Sequence, residues 1–255
     1  MKIENIRFLT LTLAILLLSC ECPTDIDTPT VIKPTIFANV LFINAMPEPN
    51  LDSLIVLSSS KIIEFIDTIY YKENSNNSIL FKEYFPVGIM VAGEKNTLRL
   101  AKTERAIPKD TLRFLFNSVL NIQKDSNYTF IAYGDEESVQ SIMVKDNITN
   151  PMKENIYIRC FNVSPDAPVM HITANTDLYS VSFSLASGEV SDIANSPSGE
   201  YTITLTSADS SIKNLRIPNV QLSKGKINNV IFRGNFHNTA INRREVIVVT
   251  GNYPN

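Results

Sequence analysis

Tyr201-Thr202-Ile203-Thr204-Leu205-Thr206 alternates a bulky apolar residue with threonine at every step. A period of two sends successive side chains to opposite faces of an extended backbone, so this hexapeptide predicts a strand with one face on a core and one in water. Val181-Ser182-Phe183-Ser184-Leu185 repeats the pattern. The rest of the chain is rich in Ile, Val, Thr, Tyr and Phe and broken at short intervals by turn residues. Lys124-Asp125-Ser126-Asn127 and Lys224-Gly225-Lys226 predict hairpin turns. These features predict an all-β chain folded as antiparallel, Ig-like β-sandwiches.

The pattern occurs twice. Leu41-Phe42-Ile43-Asn44-Ala45-Met46-Pro47-Glu48 corresponds to Cys160-Phe161-Asn162-Val163-Ser164-Pro165-Asp166, with the asparagines 118 residues apart. Gly93 and Gly199 each precede a strand and lie 106 apart. Gly134 and Gly234 each end one and lie 100 apart. Three anchors in one order with shrinking offsets predict a duplication. The expected organisation is a signal peptide over 1–19, a lipidated cysteine and stalk over 20–35, one sandwich over 36–150 and a second over 151–255.

The start of the chain predicts a location. Lys2 and Arg7 precede an apolar run from Phe8 to Leu18, the layout of a secretory signal and too short to span a bilayer. Leu17-Leu18-Ser19-Cys20 closes it and resembles the lipobox of bacterial lipoproteins, which implies acylation of Cys20 and a membrane partner through that anchor. Glu21, Asp25 and Asp27 resemble the surface-export signal of Bacteroidetes-type lipoproteins, which implies an outer-membrane lipoprotein of the cell envelope, on the cell surface. Pro23, Pro29 and Pro34 among short polar residues predict an extended stalk.

Without the first nineteen residues the chain holds 21 basic and 25 acidic residues, a net charge near −4. That excludes the clustered basic surface that nucleic acid requires. Of the three cysteines, Cys22 would neighbour the lipid and Cys160 sits in an apolar strand, where a free, packed thiol is expected. Only two histidines occur, His171 and His237, and no metalloprotease, nucleophile-elbow or phosphate-loop pattern is present. Glu136 and Glu137 adjoin in a turn-like segment and predict a solvated loop. No cofactor is expected and the chain is read as non-catalytic.

Phe161-Asn162-Val163-Ser164-Pro165-Asp166-Ala167-Pro168, followed by a strand and by Pro197-Ser198-Gly199-Glu200-Tyr201-Thr202, resembles a family of bacterial secreted and surface domains of unknown function. The resemblance is specific over 155–251 and loose over 38–148. It implies a sandwich fold and a surface location, and no activity. Turn chemistry explains the motif that Asn162 opens: Pro165 presets φ at the first central position, Asp166 takes the second and can bond nearby amides, Ser164 can cap the same amides from in front, and Pro168 starts a strand. The functional alternative makes Asp166 and Asn162 part of a calcium or sugar site, though one such pair supplies too few oxygens for calcium.

The first copy carries extra residues around Tyr70-Tyr71-Lys72-Glu73-Asn74-Ser75-Asn76-Asn77-Ser78 and Phe81-Lys82-Glu83-Tyr84-Phe85. Tyr70, Tyr71 and Tyr84 flank a polar loop and are the candidate binding surface for a glycan or envelope protein; the alternative is that they cap the sandwich. Asp52-Ser53-Leu54, Asp67-Thr68-Ile69 and Asp110-Thr111-Leu112 resemble O-glycosylation sites of exported proteins from the same bacteria. Adhesion by a binding module is the leading reading. A structural subunit of an envelope assembly and a glycan hydrolase are the rivals.

Overall fold

A computed structural model describes residues 37–46, 53–59, 64–70, 85–86, 90–91, 95–104, 111–148, 152–212, 214–234, 236 and 245–251. The signal peptide, Cys20 with the stalk, Tyr71, Tyr84 and His237 lie outside them. The described residues form strands and no helix. The strands are β1 (Phe37–Asn44), β2 (Ser53–Ser59), β3 (Glu64–Tyr70), β4 (Phe85–Pro86), β5 (Met90–Val91), β6 (Lys95–Glu104), β7 (Thr111–Asn121), β8 (Asn127–Gly134) and β9 (Val139–Lys145). They continue as β10 (Asn155–Asn162), β11 (Met170–Asn175), β12 (Ser180–Leu185), β13 (Glu189–Val190), β14 (Ala194–Pro197), β15 (Glu200–Ser207), β16 (Leu215–Gln221), β17 (Ile227–Arg233) and β18 (Glu245–Thr250).

Four sheets result, and the second pair repeats the first strand for strand. The orders are β4-β1-β8-β9, with β5 also on β1, and β3-β2-β6-β7. Nine strands later these recur as β13-β10-β17-β18, with β14 also on β10, and β12-β11-β15-β16. Each pair of sheets faces across its own core. Phe42, Phe130, Leu98 and Leu100 fill the first, and Ile158, Tyr201, Ile203, Leu205 and Phe232 the second. Cys160 is a free thiol buried in that second core, and burial pushes its ionisation well above the usual thiol range.

Two features differ from the sequence reading. β1 pairs with β8 in parallel, and β10 with β17 likewise, so the sheets are mixed. The 122–126 and 222–226 segments are also not hairpins. β7 and β16 belong to outer sheets while β8 and β17 belong to inner ones, so each segment is a corner between sheets. Asp125 (φ 52°) and Gly225 (φ 67°) take the same left-handed position in the two corners. Each corner is tied by a side chain from the next strand: Tyr128 Oη accepts from the Gln123 amide at 3.0 Å, and Asn228 Oδ1 from the Ser223 amide at 2.8 Å.

The central strands of the inner sheets are buried on both faces. β17 is buried at every residue and β10 at all but Asn155. A third apolar cluster explains this, because it joins Leu41, Ile43, Ile131 and Tyr133 to Phe161, Val163, Ile231, Ile247 and Val249. The two inner sheets therefore pack on each other, and residues 36–255 form one compact unit. Buried polar groups cross the same junction. Arg159 Nη2 lies 2.5 Å from Asp146 Oδ1 and donates to Thr129 Oγ1 at 3.0 Å and to Asn229 Oδ1 at 2.8 Å. Thr129 Oγ1 donates to Asp146 Oδ2 at 2.7 Å. Desolvation pushes the Asp146 carboxyl above its usual range and the Arg159 guanidinium below its own, and each partner's charge opposes the shift. Arg233 Nη1 donates to the Asn44 carbonyl at 2.9 Å, and its Nη2 pairs with Glu245.

Gly134, at φ 100°, closes β8, and a Cβ there would sit 2.4 Å from the Ser138 carbonyl oxygen. Gly134→Ala should lower the stability of the chain by roughly 1–3 kcal/mol, since both the backbone region and the contact exclude a side chain. Denaturant unfolding measures the loss.

Candidate binding face and turn motif

The motif around Asn162 is a closed set of turn bonds. The Ser164 carbonyl accepts from the Ala167 amide at 3.2 Å, with Pro165 and Asp166 at the two central positions. Asn162 Oδ1 accepts from the Ser164 amide, and its Nδ2 donates to the carbonyls of Pro168 and Leu185 at 3.3 and 3.1 Å. Ser164 Oγ donates to the Gly234 carbonyl at 2.6 Å, and Asp166 Oδ1 accepts from the Phe236 amide at 2.6 Å. Asn44 repeats the first device, accepting from the Met46 amide at 3.1 Å. Asn162 Oδ1 and Asp166 Oδ1 each accept a backbone amide, and Ser164 Oγ and Asp166 tie the turn to the segment that follows β17. Among the described residues no three or more His, Cys, Asp or Glu side chains converge on a point.

The other singled-out residues lie apart. Tyr70 ends β3, but its side chain, like all of Tyr71 and Tyr84, lies outside the described residues. Glu136 pairs with Lys102 at 2.7 Å and with Arg113, and hydrogen bonding from Lys102 holds its carboxyl below the usual range. Thr111 is exposed at the start of β7, and Thr68 pairs opposite Ile55 within β3.

A more continuous surface is the outward face of the β12-β11-β15-β16 sheet. Alternation in β11, β12 and β15 sends Met170, Ile172, Ala174, Tyr201, Ile203 and Leu205 to the core. The opposite set stands in registered rows. Ser184, His171 and Thr206 form one; Ser182, Thr173, Thr204 and Arg216 the next; and Ser180, Asn175 and Thr202 the third. Neighbours across a row are ~4.8 Å apart and rows are ~6.8 Å apart, from strand geometry alone. Two bonds link the face internally, His171 Nδ1 with Ser184 Oγ at 2.8 Å and Ser182 Oγ to Thr173 Oγ1 at 3.1 Å. No carboxylate stands in these rows, and hydroxyls, which both donate and accept, predominate.

At one border of this face the β11–β12 hairpin tip projects. The Thr176 amide donates to the Tyr179 carbonyl at 2.8 Å, and Thr176 Oγ1 accepts from the amides of Leu178 and Tyr179 at 3.3 and 3.0 Å. This local closure holds Leu178 at 85% exposure and Tyr179 at 50%. Neither Leu178 nor Tyr179 is among the site residues that the sequence predicts. The available signal was Leu-Tyr set between Thr176-Asp177 and Ser180, apolar residues inside a turn composition.

The first outer sheet differs. Arg99 stacks on Phe114 at 5.5 Å, and Leu112, Phe114 and Val119 of β7 are exposed.

No curated protein matches the chain. Among solved structures it is similar to "a putative cell adhesion protein" from Bacteroides fragilis NCTC 9343, at 8% identity over 86% of this chain and 98% of that one, with a TM-score of 0.21. The family that matches is described as Domain of unknown function (DUF4397), over residues 38–173. That stretch runs from β1 through the Asn162–Pro168 turn into β11, so it takes in the half that looked divergent and only the first strands of the half that looked clear. It spans more than half of the sequence, and the chain belongs to the DUF4397 family of domains of unknown function.

Proposed function

We propose that this is a lipoprotein of the cell envelope, tethered through acylated Cys20, that acts as a non-catalytic binding module for a glycan. The observation that carries this reading is the outward hydroxyl face of the β12-β11-β15-β16 sheet. Its rows offer neutral donors and acceptors in a fixed register, the chemistry that a polyhydroxylated ligand complements. The strands beneath the face are held by a fully apolar core, so the rows keep their spacing without a ligand.

The test is an array of envelope and host polysaccharides probed with the full chain, alongside a Thr173→Arg, Thr204→Arg variant. Both positions are on the solvent side, so the fold should survive, which unfolding curves check. Binding by the natural chain and its loss in the variant is the expected result. Binding that the variant retains moves the ligand elsewhere on the surface, and binding of no glycan overturns the reading.

A structural subunit is favoured by one observation. β7 closes its sheet among the described residues as an eleven-residue strand with exposed Leu112, Phe114 and Val119. Its counterpart β16 carries Pro218 and the left-handed Asn219 (φ 61°), devices that blunt strand addition. Self-association that Phe114→Lys abolishes would support this second reading.

A further inference from the structure

One end of residues 36–255 is where the chain arrives from the stalk. β1 begins there at Phe37, and the Asn39 amide donates to the Ser126 carbonyl at 3.0 Å, in the 122–126 corner. The Asp146 amide joins it, donating to the Asn127 carbonyl at 2.7 Å. In the second half the corresponding end holds the start of β10, the 222–226 corner and the β11–β12 tip. Asn155 pairs opposite Pro197, the Gly225 amide donates to the Asn155 carbonyl at 2.7 Å, and Gly199 lies against the Thr176 methyl.

The two halves point the same way. Arg159 reaches Thr129 and Asp146 near the stalk end, while Arg233 reaches the Asn44 carbonyl at the far end, where Gly188 also meets the Tyr133 hydroxyl. The Leu178-Tyr179 tip is therefore on the stalk side of the body, as is Met152, which is 61% exposed.

We infer that Leu178 and Tyr179 dock into the lipid surface to which the stalk is tethered, fixing the body on the membrane with its far end outward. This rests on the reading of Cys20 as the lipid anchor. Three observations point to a bilayer as the occupant. Leu178 is the most exposed large apolar side chain described, and its backbone is pinned by Thr176. Sixteen residues lie between Cys20 and Phe37. Even fully extended, a chain of that length reaches at most ~60 Å, which bounds how far this end can stand from the anchored headgroups.

The third observation is charge. Exposed Lys124, Lys145, Lys153, Lys224 and Lys226 stand at the stalk end among Asp125, Glu154, Asp177 and Glu200. Lys224 pairs with Glu154 and Lys124 with Asp125. Among the described residues the far end carries Asp135, Glu136, Glu137, Asp166, Glu189, Asp209 and Glu245, against Lys102, Arg113 and the buried Arg233. Inserted apolar side chains and lysines that stay with the headgroups are the two components of peripheral membrane binding.

The chain has no tryptophan, so Leu178→Trp creates a single reporter on an exposed side chain. The full chain carrying it is reconstituted into vesicles of phosphatidylethanolamine and phosphatidylglycerol, with and without brominated acyl chains. Leu112→Trp, exposed at the end of β7 opposite the 122–126 corner, serves as the comparison. Docking predicts a blue-shifted Leu178→Trp emission, quenched roughly twofold or more by brominated lipid, and little quenching of Leu112→Trp. Co-flotation with equal, weak quenching of both reporters overturns the docking and leaves the anchor standing. A chain that does not float with the vesicles overturns both.

Discussion

Arg159→Met should destabilise the chain by about 3–5 kcal/mol, because it strands the Asp146 carboxylate in the junction between the inner sheets. Both side chains are almost wholly excluded from solvent, and the guanidinium is the cation against that carboxylate. The same substitution frees Thr129 Oγ1 and Asn229 Oδ1 from a shared donor. Pairing it with Asp146→Leu should recover most of the loss, since two apolar side chains remove the desolvation cost of both charges. Urea unfolding of the single and double variants measures the difference. A single variant within about 1 kcal/mol of the natural chain would mean that the pair is open to water.

Ile231→Ala should cost about 2–5 kcal/mol. Ile231 is fully buried in the cluster that joins the two inner sheets, among Leu41, Ile43, Phe161 and Ile247. Truncation there leaves a cavity between the halves and spares the core of each sandwich pair. Unfolding followed by a probe in each half should show both transitions moving together. A loss confined to the second half would show that the halves unfold separately.

The outer sheet of the second half was legible because its strands turn one side toward water. Tyr201–Thr206 states its inward and outward sets residue by residue, and the burial of β15 follows that pattern. The inner strands carry no such alternation. Ile227–Arg233 is buried throughout, and Arg159 and Arg233 lie inside apolar runs where a charge reads as a mark of solvent. A near-continuous apolar run signals a strand covered on both faces; β8 and β10 approach it, whereas β17 is buried throughout despite Asn228, Asn229 and Arg233. What covers them could not be read, because the covering sheet comes from the other copy. Parallel pairing was hidden for a related reason: Cys160 and Val230 are partners seventy residues apart, and periodicity gives a face without naming a neighbour.

The candidate site divides the same way. The roles of Asn162, Ser164, Pro165 and Asp166 are local and follow from turn chemistry, whereas the attachment of Asp166 to the Phe236 amide is a tertiary contact. The hydroxyl face needed the register of three strands. Ser182, Thr173 and Thr204 become one row only when β12, β11 and β15 are set side by side.

Cys20 decides the account. Intact-mass measurement of the mature protein extracted from its native membranes should find a chain beginning at Cys20 and heavier than its polypeptide by the mass of several fatty acyl chains. A product recovered from the soluble fraction with an unmodified thiol at that position would contradict the tether, and with it the orientation of the body and its role at the cell envelope.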